Sequence, residues 1–169
     1  MYSLSPFNLI PFYEPVLNLR MDMDGIWVGR FDVKGEAENR QYYFNSNNGI
    51  NSTTFLYPES GSAQSQILSV ANQGVAFINY TAHGWESGWA DPEFNVSDAN
   101  NMTNANQYPT MVGNCCLTNA FDSGTCFGEA LLRKTNAGAI GYIGGSDVTY
   151  WDEDFWWAVG NTSNITANP

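Results

Sequence analysis

The stretch GVAFINYTAHG, residues 74–84, decides the fold that this sequence predicts. A mainly apolar run follows a glycine and ends at His83, the one histidine in 169 residues, which precedes Gly84. Such a run, bounded by turn residues, is typical of a strand buried on both faces of a parallel sheet. We therefore predict a strand over residues 75–82 with His83 at its carboxyl end. A single histidine cannot form a histidine-rich metal site, so it is either incidental or paired with another residue type.

Helices and strands alternate downstream of residue 60. Residues 62–74, with serines available as N-caps and Gly74 just beyond, predict a helix that ends near Asn72. The later segments predict a weak helix at 95–104, a short apolar strand at 108–116, a helix closed by Gly138 at 126–138, and a third buried strand at 139–146. Upstream, residues 1–24 are expected to be irregular, residues 25–33 to form a strand, and residues 45–54 to be rich in turns.

This alternation predicts an α/β fold, in which helices cover both faces of a parallel sheet. Ligands of such sheets gather at the carboxyl ends of the strands. His83 stands at the end of one predicted strand, and Cys115 and Cys116 stand at the end of the next. Adjacent parallel strands would therefore bring an imidazole and a thiol together at one edge.

A cysteine beside a histidine is suited to nucleophilic catalysis. The thiolate attacks, and the imidazole holds the proton that the thiol loses. Gly84 lacks a side chain, so its N–H can approach a developing oxyanion. The alternatives are a satisfied surface or core histidine and cysteines that act as small apolar fillers.

Composition narrows the classes of function. A hydrophobic content of 43% is typical of a globular domain, and the net charge of -11 disfavours nucleic acid while it suits basic peptides or solubility alone. No apolar run is long enough to span a bilayer, and the first residues lack the pattern of a signal peptide. Three cysteines, two of them adjacent, fit neither a disulfide framework nor the ligand spacing of a zinc site.

Several blocks of the chain resemble the gingipain-type cysteine peptidases. They are YTAHGWESGWADP, VGNCCLTNAFD, CFGEALLR, GAIGYIGGS and YWDEDFWWAVG, all within residues 80–160, together with VGRF at 28–31. The resemblance implies a caspase-like parallel sheet flanked by helices, related in fold to caspases and legumains. It also implies that His83 is the catalytic histidine, that Cys116 is the nucleophile, and that the N–H groups of Gly84 and Cys116 bind the oxyanion. Cys115 then has no assigned chemical role.

The resemblance extends to the specificity pocket. Lysine-specific members carry an acidic residue after a Tyr-Trp pair, and the matching position here is Asp154. Tyr150 and Trp151 would form aromatic walls, and Thr81 and Asn114 match other pocket positions. A carboxylate in an apolar slot selects a long cationic side chain. The alternative for this acidic stretch is a solvated loop beside a packed aromatic cluster.

The sequence departs from the family pattern near Arg40. Only DVKGEAENR, residues 32–40, separates the VGRF block from a tyrosine-rich segment, where the family has a strand and the carboxylate that orients the histidine. A deletion there would leave the sheet incomplete. The implied organisation is therefore a partial catalytic domain at 25–160, an irregular segment at 1–24 and a tail at 161–169.

Two functions remain open on the sequence. The first is a cysteine endopeptidase that cleaves proteins or peptides after a basic residue, lysine in particular, through a thioester. The second is a weak or inactive remnant of the family that binds basic peptides at the cell surface. The resemblance also implies an extracellular or surface location, no cofactor for the chemistry, and a structural calcium ion without identified ligands.

Overall fold

The computed structural model describes residues 16–21, 47, 52–57 and 62–150. Its strands are β1 (Val16–Met21), β2 (Ser52–Tyr57), β3 (Phe77–Thr81), β4 (Gly84–Trp85), β5 (Gly88–Ala90), β6 (Glu93–Asn95), β7 (Thr110–Asn114) and β8 (Gly141–Gly144). Its helices are α1 (Gln64–Asn72), α2 (Val96–Asn101) and α3 (Phe127–Arg133). The alternation predicted downstream of residue 60 is confirmed, because α1, β3, α2, β7, α3 and β8 follow one another along the chain.

A parallel sheet runs through the described part of the chain in the order β2-β1-β3-β7-β8. The stretch quoted at the outset supplies β3, which lies at the centre of this order. Right-handed crossovers place α1, α2 and α3 on one face, because each connection advances in the same direction across the sheet. Contacts between α2 and α3 agree with this arrangement. The predicted helices are thus found on one face of the sheet, and no helix on the other face occurs among the described residues.

The core lies between these helices and the covered face of the sheet. Ile78 and Tyr80 of β3 and Met111 of β7 are fully buried there, together with Ile67 of α1 and Leu131 of α3. In β3 these buried residues alternate with the less buried Phe77 and Asn79, as the two-residue period of a strand requires.

A small antiparallel sheet, β4-β5-β6, packs over the same face directly after β3. Trp89 of β5 stacks on Tyr80 with ring centroids 4.6 Å apart, and Phe127 of α3 meets Trp89 edge-on at 5.1 Å. Phe94 and Tyr142 complete this aromatic cluster. The cluster fixes the loop that carries His83 against the main sheet.

Several local expectations were wrong. Residues 16–21 form β1 between β2 and β3, although residues 1–24 were expected to be irregular. Pairing with strands on both sides is a long-range effect that the local pattern VLNLRM does not reveal. Residues 52–54 likewise belong to β2 although they close a turn-rich segment. The strand predicted at 25–33 lies outside the described residues.

The helix ends and the last strand also differ in detail. Buried Ala63, not a serine, occupies the N-cap of α1, because packing sets the start of this helix. Helix α3 ends at Arg133, before Gly138. Strand β8 was expected to be buried, yet 48% of Ile143 is exposed, because β8 is the edge of the described sheet.

Candidate active site

The ends of β3 and β7 form the candidate site. The two strands are parallel neighbours, and their register pairs Thr81 with Asn114. His83 follows β3 after one intervening residue, and Cys115 and Cys116 follow β7 directly. The structure therefore brings the His-Gly and Cys-Cys segments to one edge of the sheet, as the sequence predicts.

Gly84 packs against the cysteine pair. A Cβ atom built on Gly84 would lie 2.6 Å from Cys115 Sγ and 2.8 Å from the carbonyl oxygen of Cys116. No side chain fits into this space without moving backbone atoms. The His83 side chain is exposed beside this contact. A glycine is thus required here, because only a residue without a side chain lets the two segments approach so closely. An oxyanion donor needs the same close approach.

The two cysteines occupy different environments. Cys115 is buried, and its sulfur lies 3.6 Å from Thr118 Oγ1. Cys116 is half-buried, and its sulfur accepts a hydrogen bond from the backbone N–H of Thr149 at 3.3 Å. Of the pair, the second cysteine is therefore the one that is accessible to a substrate. Sequence reasoning did not identify its partner Thr149.

Backbone hydrogen bonds join the loop after Cys116 to the segment that follows β8. Leu117 N–H donates to the carbonyl of Asp147 at 3.1 Å, and Asn119 N–H donates to Gly145 at 2.8 Å. Leu117 adopts a left-handed conformation with φ 60°, which is unusual for a residue with a branched side chain. These contacts hold the tight turn that presents Cys116.

Tyr80 lies beneath the His83 loop and was not identified as a site residue from the sequence. Its hydroxyl donates to the carbonyl oxygen of His83, and it accepts from the N–H groups of Ala90 and Asp91, each at 3.1 Å. Ala90 N–H also lies 3.0 Å from the same His83 carbonyl. Burial raises the pKa of Tyr80 far above its ordinary value, so its hydroxyl stays protonated and remains a donor.

The predicted pocket residues divide into two groups. Thr81 and Asn114 are buried at the paired strand ends, with 6% and 5% exposure, and the Thr81 hydroxyl has no hydrogen-bond partner within the described ranges. Tyr150 lies at the end of the described chain and is 67% exposed. Trp151 and Asp154 lie outside the described residues.

The structural calcium ion that the resemblance implies stays a prediction. No three histidine, cysteine, aspartate or glutamate side chains gather among the described residues in a way that could hold an ion. In the segment 91–101, Asp98 already accepts from Asn95 N–H and from Gln64, each at 2.8 Å. The contact with Asn95 N–H belongs to the cap of α2. No helix in the described ranges is long and apolar enough to cross a membrane.

Comparison with solved structures defines the class of this fold. A chain described as "Structure of Protease" matches with a TM-score of 0.68 and 35% identity, over 90% of this chain and 33% of the other. The Arg-specific cysteine proteinase gingipain R (RGPB) matches with a TM-score of 0.67 and 24% identity, over 82% of this chain and 36% of the other. The fold is the caspase-like α/β fold of the gingipains.

Sequence comparison gives the family. Residues 18–167 match peptidase family C25. Lys-gingipain HG66 from Porphyromonas gingivalis is 41% identical over 150 residues, which is 86% of this chain and 8% of that relative. The chain belongs to peptidase family C25, and it spans a small part of the length of the curated relative it matches.

Proposed function

We propose that this chain carries the catalytic centre of a cysteine endopeptidase that cleaves after a basic residue, lysine in particular. The observation that carries the proposal is the contact of Gly84 with Cys115 and Cys116 at the ends of two neighbouring parallel strands. This contact sets the backbone of Gly84 against the buried sulfur of Cys115 and the carbonyl oxygen of Cys116. The exposed His83 adjoins it.

The chemistry follows from these groups. The Cys116 sulfur attacks the carbonyl carbon of the scissile peptide, and the proton of the thiol passes to His83. The N–H groups of Gly84 and Cys116 bind the oxyanion of the tetrahedral intermediate. The C–N bond then breaks as His83 returns the proton to the leaving amine, which leaves a thioester. Water adds to the thioester with His83 as the base, and the thiol of Cys116 is released with the new carboxylate.

The contact with Thr149 suits this sequence of steps. Its N–H donates to the sulfur at 3.3 Å, so it holds the sulfur in place for attack. The Cys115 sulfur is buried on the other side, against Gly84 and Thr118. The nucleophile is therefore Cys116, and Cys115 packs beneath the oxyanion donor.

Specificity for lysine is supported by the family members that the chain resembles. Lys-gingipain HG66 is 41% identical over 150 residues. The buried hydroxyl of Thr81, with 6% exposure, lies at the end of β3 and has no hydrogen-bond partner among the described residues. We assign Asp154 as the partner of the substrate cation, because it matches the acidic residue of the lysine-specific members. An extracellular location, where protein substrates with basic residues are abundant, is part of the same proposal.

The test is mass-spectrometric mapping of the adduct formed by a lysyl chloromethyl ketone, compared with its arginyl analogue. We expect modification of Cys116 alone, faster with the lysyl reagent, abolished by Cys116→Ala and strongly slowed by His83→Ala. Cys126→Ala is the matched control, since Cys126 is a buried cysteine at the N-cap of α3. Equal labelling of all three cysteines, or none in a folded sample, would refute the proposal.

If a folded sample shows no labelled cysteine, the alternative function, binding of basic peptides without catalysis, becomes the better account. Lysine-ended peptides would then bind without turnover, and Asp154→Asn would weaken that binding. Peptide hydrolysis measured in the same sample separates the two functions.

A further inference from the structure

The carbonyl of His83 and the N–H of Gly84 belong to one peptide unit. In a trans peptide the C=O and N–H bonds lie in one plane and point in opposite directions. Any contact that fixes the His83 carbonyl therefore also fixes the direction of the Gly84 N–H. Two donors meet this carbonyl, the hydroxyl of Tyr80 and the N–H of Ala90.

The hairpin of β4 and β5 shows which way this peptide faces. Gly84 is opposite Trp89, and Trp85 is opposite Gly88. Hydrogen-bonded and non-hydrogen-bonded pairs alternate along an antiparallel ladder. Because Ala90 N–H donates to His83, the next pair, Gly84 with Trp89, is a non-hydrogen-bonded pair. The Gly84 N–H accordingly points away from β5 and is not used by the ladder.

The cysteine loop lies next to this glycine. A Cβ atom on Gly84 would come within 3.0 Å of three atoms of Cys115 and Cys116. The peptide that follows His83 is thus held on one side by Tyr80 and Ala90, and it lies close to the cysteine pair.

We propose that Tyr80 is a positioning residue for the oxyanion hole: its hydroxyl holds the His83–Gly84 peptide so that the Gly84 N–H faces the substrate carbonyl. The inference rests on the proposed function, because it assigns a task to a residue within that site. Tyr80 itself is fully buried at 0% exposure and does not touch substrate. It acts through the backbone of the loop.

Other contacts of Tyr80 fit this role. Its ring is clamped by the stacked indole of Trp89 at 4.6 Å, so the hydroxyl has little freedom to move. Its oxygen accepts from two backbone N–H groups at 3.1 Å, which directs its single proton to the His83 carbonyl.

The experiment compares Tyr80→Phe with Tyr142→Phe. Both remove one buried hydroxyl from the same aromatic cluster, but the Tyr142 hydroxyl bonds to Trp89 Nε1 at 3.1 Å, not to the His83 carbonyl. Two rates are measured in each protein. One is hydrolysis of a lysyl peptide amide, which passes through an oxyanion, and the other is alkylation of Cys116 by iodoacetamide, which does not.

We expect Tyr80→Phe to lower kcat for hydrolysis about ten- to a hundred-fold, below the loss of about 10²- to 10³-fold for a deleted oxyanion donor. KM and the alkylation rate across pH should stay within about twofold of the wild type, and Tyr142→Phe should leave both rates unchanged. An unchanged kcat in Tyr80→Phe, or an equal loss of both rates, would overturn the proposal. If the wild-type chain showed neither hydrolysis nor labelling, the proposed function would fail together with the role of Tyr80. If only the comparison of the variants failed, the proposed function would stand and the role of Tyr80 would not.

A crystal structure of the unmodified chain with a lysine aldehyde covers the case in which Tyr80→Phe does not fold. The oxygen of the Cys116 hemithioacetal should lie within about 3 Å of Gly84 N. The His83 carbonyl should keep its contact with the Tyr80 hydroxyl. An adduct oxygen bound elsewhere, or a His83 carbonyl turned away from Tyr80, would overturn the proposal.

Discussion

Replacing Gly84 with alanine tests the contact on which the candidate site depends. The new Cβ would lie 2.6 Å from Cys115 Sγ and 2.8 Å from the Cys116 carbonyl oxygen. Ordinary contacts between such atoms are about 3.5–4.0 Å, so one segment must retreat by about 1 Å. The Cys116 oxygen is backbone, and it cannot rotate aside as the end of a flexible side chain could.

Two effects follow from this displacement. Overpacking costs about 1–3 kcal/mol of the free energy of unfolding. A shift of about 1 Å between the reacting groups lowers kcat/KM by about a hundred-fold, because attack requires a near-ideal approach. Because a domain is stable by about 5–15 kcal/mol, the variant should stay folded while its rate falls.

The assay pairs lysyl peptide hydrolysis with chemical unfolding. Gly141→Ala is the control, because a Cβ atom at this position in β8 would meet no atom within 4 Å. We expect Gly141→Ala to match the wild type in both measurements. If Gly84→Ala kept its full rate of hydrolysis while folded, the cysteine pair and Gly84 could not form the site described above.

Two further predictions concern stability. Burial raises the pKa values of Tyr80 and Tyr142 above the ordinary 10.0, so the unfolded chain ionises first as pH rises. The free energy of unfolding therefore keeps its full value below pH 10 and falls above it by about 1.4 kcal/mol per pH unit for each tyrosine. Unfolding in guanidinium at pH 9 to 11 measures this slope. Each Tyr→Phe change should remove the contribution of one tyrosine from the slope. A free energy of unfolding that does not change with pH would contradict the prediction. Asn95→Ala removes the side chain that accepts from Ser97 N–H at 2.8 Å at the start of α2, and should cost about 1 kcal/mol in the same assay at pH 7, whereas exposed Asn101→Ala should cost less.

Sequence alone predicted the centre of the fold because the signals there are local. The apolar run before His83 and the short run before Cys115 each indicated a strand, and their adjacency followed from the rule that ligands gather at strand ends. Strand β1 was missed because its order between β2 and β3 depends on pairing with distant residues. The exposure of β8 was missed because an edge position is a property of the sheet, not of the segment.

Site residues with a chemical signature were easier to predict than those that position them. A lone histidine before a glycine and an adjacent cysteine pair are visible in one dimension. Tyr80 looked like part of a buried strand, and its ring does belong to the core, yet its hydroxyl contacts the loop three residues later. Thr149 contributes a backbone N–H, which every residue except proline possesses, so no side-chain pattern could indicate it.

The neighbouring strand ends also explain why the site can tolerate variation elsewhere in the chain. Its central contact, Gly84 with Cys115 and Cys116, depends on the register of β3 with β7 and on the hairpin that follows β3. All of these elements lie within residues 77–116. Strands β1 and β2, which come before and after Arg40 in the sequence, lie on the other side of β3 from β7. Loss of an orienting acid would then lower the rate by weakening the control of the His83 ring, while the nucleophile and the oxyanion donor keep their relative positions.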